Sequence, residues 1–127
     1  MNFIKLSWNI IHEKYSYKNA SDVEMTILGR FFTSDVGCDE HDAFRKWALT
    51  SIDEDVCGGN CTVLEKVGDN IVLSDEYPVE PVPTKLKMTT KQFVQLWDEW
   101  QEKVVKLKPK EVTIKHEHGE FFIETVD

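Results

Sequence analysis

Across a single proline the hydrophobic period of this chain changes. Before Pro109, in MTTKQFVQLWDEWQEKVVKL, Phe93, Leu96, Trp97, Trp100, Val104 and Leu107 recur every three or four positions, the spacing that lines one face of an α-helix. After it, in EVTIKHEHGEFFIETV, apolar and polar residues alternate, as in a half-buried strand. Thr89 followed by Gln92 reads as a capping box, with Met88 and Phe93 as the hydrophobic staple. The proline lacks an N–H and ends the helix. His118-Gly119 marks a hairpin tip, which sets Ile114 opposite Ile123 and His116 opposite Phe121, on the face of Val112.

The remaining elements are shorter. Residues 3–11 alternate with Ile4, Leu6, Trp8 and Ile10 on one side, a strand followed by a polar loop or strand end in HEKYSYKNAS. Val23, Met25 and Ile27 alternate again and predict a strand paired antiparallel with the first, with Gly29 as a bulge. DEHDAFRKWAL reads as a short helix with Phe44, Trp47 and Ala48 inward. CTVLEKV and IVLSDEY form a hairpin turning at Gly68-Asp69-Asn70. The three prolines of YPVEPVPT make a connector. The sum is an α+β chain: an antiparallel or mixed sheet of about six strands packed with two helices, in one domain over residues 1–127.

Charge is unevenly placed. The 127 residues carry a net charge of −8. Residues 33–80 hold twelve acids against three bases, whereas residues 81–115 hold eight lysines against four acids. Arg30 and Arg45 are the two arginines, and arginine is the usual fork for phosphate. Direct nucleic-acid binding is therefore not expected, and a partner with a basic face is. No apolar run approaches the ~20 residues that span a bilayer, and MNFIKLSWNII lacks the pattern of a signal peptide. The expectation is a cytoplasmic monomer without membrane contact.

All three cysteines fall in CDEHDAFRKWALTSIDEDVCGGNC. Cys38 and His41 (C-x2-H) with Cys57 and Cys61 (C-x3-C) have the ligand types of a structural zinc site. One pair is mixed, the other is one residue too long for a usual knuckle, and nearby carboxylates compete. The other reading is three small reduced thiols, Cys57 and Cys61 flanking a glycine turn and Cys38 preceding a helix. The same acids oppose a thiolate, so a catalytic Cys38 is not expected. His116 and His118 alternate, but the second belongs to a turn. Trp97 and Trp100 fall on the inner face of their helix and read as core. Asp53-Glu54-Asp55 lacks the spacing of a calcium loop.

MTTKQFVQLWDEWQEKV followed by KPKEVTIKHEHGEFFIETV resembles the ending of small acidic immunity proteins of contact-dependent growth inhibition and related polymorphic toxin systems. The likeness covers roughly forty residues and consists of helix and hairpin grammar. It implies no catalysis and no cofactor. It implies binding of a cognate toxin domain, such as a nuclease with a basic cleft. Combined with the charge pattern, it points to Asp39, Glu40, Asp42, Asp53, Glu54 and Asp55, with Asp75 and Glu76, as the partner-binding surface. The alternative is a zinc-stabilised binding domain using Cys38, His41, Cys57 and Cys61.

Overall fold

The computed structural model describes residues 2–37, 42–50, 56–58, 61–76 and 84–127. In chain order they form β1 (Asn2–Asn9), β2 (Lys14–Ala20), α1 (Val23–Arg30), α2 (Ala43–Leu49), β3 (Val56–Gly58), β4 (Thr62–Val67), β5 (Asn70–Asp75), β6 (Lys85–Thr89), α3 (Thr90–Glu99), β7 (Glu111–Glu117) and β8 (Glu120–Val126). The fold is α+β, and every strand pairing is antiparallel. The expected six or so strands number eight among the described residues, in two sheets ordered β2-β1-β7-β8 and β3-β4-β5-β6. Helices α1 and α3 each touch strands of both sheets, and the buried side chains form one cluster.

Where a strand is predicted from Val23, the chain forms α1 and continues as a π-helical segment over Phe31–Val36. Its buried side chains are Met25, Leu28, Phe32 and Val36 together with Ile27 and Phe31, spaced by three and four. Over that longer window the helical period outweighs the short alternation. Gly29 is therefore no bulge. A Cβ there would overlap the Cδ1 of Ile4, so the missing side chain lets α1 lie close against β1. The strand that pairs with β1 on this side is β2, in the stretch expected to be loop or strand end. Its side chains are mostly solvated because it is an edge strand, with Tyr15 its one fully buried residue. The Tyr15 hydroxyl donates to the Pro109 carbonyl at 2.5 Å, and its ring lies edge-on to Trp8 and Trp100.

The first strand stops at Asn9, short of the predicted end. The Asn9 carboxamide oxygen accepts from Ile11 N–H (3.0 Å) and His12 N–H (3.1 Å), a local turn that competes with the ladder. Ile10, expected inward, is 80% exposed as a result.

Helix α3 starts as read from the sequence. Gln92 N–H donates to Thr89 Oγ1 at 3.0 Å, and Thr89 N–H donates to Gln92 Oε1 at 2.8 Å. Met88 and Phe93 are both buried. The residues before the cap form β6, with Leu86 and Met88 inward and Lys85 and Lys87 outward, a strand hidden in sequence behind the prolines. Beyond Glu99 the helix widens to a π-helical segment over Trp100–Val105. The i→i+5 bond of Lys106 N–H to Gln101 O adds a residue to the turn. That rotates the stripe, so Val105 is buried and Leu107, expected inward, is 69% exposed.

Both sequence-read hairpins hold. Val67 faces Asn70 across Gly68 and Asp69. In β7–β8, Ile114 pairs with Ile123 and His116 with Phe121. Helix α2 buries Phe44, Trp47 and Ala48. The YPV-E-PVP stretch at 77–83 lies outside the described residues.

Candidate interaction surface

The β4–β5 ladder ends with Thr62 opposite Asp75. One step further, Glu76 N–H donates to Cys61 O at 2.8 Å. The Cys61 N–H then needs an acceptor from outside the sheet. Asp35, in the π-helical continuation of α1, supplies it through Oδ1 at 2.9 Å, a charge-assisted bond. The Asp35 carboxylate thus lies at Cys61, while Asp75 and exposed Glu76 follow each other at the end of the facing strand. Arg30 forms an ion pair with Asp75 across this corner. Both side chains are partly exposed, so the pair is worth about 1 kcal/mol or less. With Asp35, Asp75 and Glu76 against Arg30, the corner remains net negative.

Of the eight acids expected at the partner surface, the described residues include Asp42, Asp75 and Glu76. The last two lie in this corner. Asp42 precedes α2, is exposed, and sits 3.5 Å from Lys46. The neighbouring Arg45 reaches Asp98 of α3 at 2.9 Å, and its pKa is raised by that hydrogen bond and by the Coulomb attraction of the same carboxylate. Asp39, Glu40, Asp53, Glu54 and Asp55 lie outside the described residues. Sequence reasoning left Asp35 and Arg30 out of the site. Asp35 belongs to the acidic block, but its link to Cys61 spans 26 positions and leaves no periodic trace.

Of the four zinc candidates, Cys38 and His41 also lie outside the described residues. Cys57 and Cys61 are half-buried and not joined in a disulfide. Cys57 pairs with Leu64 on the inner face of β3 and packs against the core, while Cys61 belongs to the acidic corner. Among the described residues no group of three or more His, Cys, Asp or Glu could hold a metal ion. His116 stacks on Phe121 with ring centroids 4.0 Å apart. His118 sits at the hairpin tip with φ 53 beside Gly119 at φ 77, so the two histidines have different surroundings. Trp97 and Trp100 are buried in the core.

A cavity of about 370 Å³ lies between α1 and the β1–β2 pair, floored by Ile4 and Leu6 and bordered by Tyr17, Thr26, Arg30 and Thr33. Its threonine hydroxyls donate to Val23 O and Gly29 O of their own helix, and Arg30 is held by Asp75. Among the described residues, no histidine, carboxylate or thiol lines it. Compared with known proteins, the chain matches no family model, no curated protein and no solved structure. No helix among the described residues is long and apolar enough to cross a membrane.

Proposed function

We propose that this protein is a non-catalytic binding protein of the immunity type, which neutralises a toxin domain by covering a basic face with its own acidic one. The observation that carries the reading is the segregation of charge: twelve acids against three bases over residues 33–80. The placement of Asp75 and exposed Glu76 together at the end of the β4–β5 ladder supports it. A surface of this sign steers encounter with a basic cleft and penalises like-charged competitors. Lysine and arginine aimed at phosphate in a nuclease cleft are the complement it would meet.

The test is co-expression. The C-terminal domain encoded immediately upstream would be induced in a bacterial host with and without this protein. Relief of growth arrest by this protein, with co-purification of the pair, is the expected result. Replacing Asp42, Asp55 and Glu76 together by lysine should weaken the complex by roughly a hundredfold or more. A harmless neighbour, or toxicity that this protein leaves unrelieved, would count against the reading.

A further inference from the structure

We propose that the β1–β2 turn docks reversibly on an anionic lipid surface, through an apolar tip backed by lysines. Ile10 and Ile11 are adjacent and 80% and 84% exposed. They are held out by a built turn: the two bonds to the Asn9 carboxamide and the left-handed backbone of Glu13 at φ 52. Behind the tip, Trp8 N–H donates to Lys110 O at 2.9 Å, and Lys108 Nζ lies 6.0 Å from the Trp8 ring centroid. The turn after α3 is thereby fixed against the base of the hairpin. Exposed Lys108 and Lys110 thus flank β1 on one side and exposed Lys14, opposite Asn9, on the other, with exposed Lys106 in the same turn after α3. The acids at this end are Glu13 on the turn, Glu102 bound to Lys106 at 2.9 Å, Glu111 bound to Lys18 at 2.5 Å, and Asp127, which follows Val126 opposite Glu111; Lys14, Lys108 and Lys110 are the lysines beyond these pairs.

A protruding tip needs a receiver that yields. In a bilayer interface the isoleucines enter below the phosphates, a tryptophan sits at headgroup level, and lysine stems extend their charges to the anionic lipids. The cations favour lipid over a protein pocket. They are lysines, point charges suited to fluid headgroups. The two arginines, which form the fixed forks that bind carboxylates and anchor protein interfaces, are elsewhere and already paired with Asp75 and Asp98. The net charge of −8 does not cancel the attraction, because charges beyond about 8 Å are largely screened at physiological ionic strength.

The test is co-sedimentation of the full chain with phosphatidylcholine vesicles, with and without about one third phosphatidylserine. Pelleting is expected with the anionic vesicles only, weakening as salt rises. The Ile10→Asp/Ile11→Asp variant should lose at least about tenfold in lipid affinity, and Lys108→Glu/Lys110→Glu a similar amount. These side chains are exposed, and circular dichroism would verify that each variant folds. An Ile11→Trp variant should show blue-shifted emission on anionic vesicles. No pelleting up to millimolar lipid overturns the proposal, as does pelleting that the tip substitutions leave unchanged. If instead a protein partner binds the wild type and loses the tip variant without lipid, the tip is a protein anchor and the proposal fails.

Discussion

Adding one methyl group at Gly29 sets two opposed effects against each other. As a helix residue, alanine is favoured over glycine by about 1 kcal/mol. Against that, the new Cβ would overlap Cδ1 of Ile4 and press on its Cγ1. Ile4 is 1% exposed and belongs to the inner row with Ile114 and Ile123, so its Cδ1 can yield only toward the cavity that Ile4 floors or against packed neighbours. Overpacking of this kind costs about 1–3 kcal/mol. The clash should win, and Gly29→Ala should destabilise by about 1 kcal/mol net. In urea, where small proteins have slopes of about 1–3 kcal/mol/M, that lowers the midpoint by roughly half a molar. The decisive assay is a double-mutant cycle. Ile4→Val removes the overlapping Cδ1 and alone costs about 0.5–1.5 kcal/mol. In the Gly29→Ala background it should cost much less, or stabilise. Additivity within about 0.5 kcal/mol, or a Gly29→Ala protein more stable than wild type, would refute the close approach of α1 to β1.

Other outcomes are open to measurement. Thr89→Ala should cost about 1 kcal/mol in denaturant unfolding; Gln92→Ala should cost at least as much, since Gln92 also donates to Gly119 O and ties the start of α3 to the β7–β8 turn. The Glu111 carboxyl is held below the usual carboxylate range by its hydrogen bond to Lys18 and by the charge of that lysine. Its contribution to stability is present above the unfolded-state pKa and is lost as pH falls through the lowered one. An NMR titration should show the low midpoint, and Lys18→Met should move it back up. Purified protein should carry no stoichiometric zinc, with a chelator leaving its melting temperature unchanged; equimolar zinc and unfolding by chelator would establish the zinc-stabilised alternative instead.

What could be read from the chain depended on how long each pattern runs. The α3 stripe, its capping box and the β7–β8 register follow from local spacings that tertiary packing reinforces. Helix α1 was hidden because Val23, Met25 and Ile27 alternate, and its true period emerges only when Phe31 and Phe32 are included. Edge strands were the other blind spot. In β2 only Tyr15 is fully buried, and β6 has only Leu86 and Met88 inward, too little signal beside a polar stretch and a run of prolines. Ile10 was misplaced because Asn9 ends the ladder with its own side chain. For the interaction surface, the charge block was legible in composition, but the convergence of Asp35 on Cys61 is a long-range backbone need that no spacing encodes. The isoleucine tip was missed for the same reason as the end of β1.

The two π-helical segments have a bearing on descent. Each holds one residue more per turn than the α-helix before it, so each is equivalent to a single-residue insertion absorbed without breaking the helix. A relative that lacks the insertion would carry an ordinary α-helix there, with its inward face in a different phase from that point to the helix end. Alignment across Phe31–Val36 or Trp100–Val105 should therefore admit a one-residue gap inside the helix, where gaps are normally penalised. Deleting Gln101 tests the idea in the laboratory: it should restore the α-helical period and turn the Leu107 position toward the core.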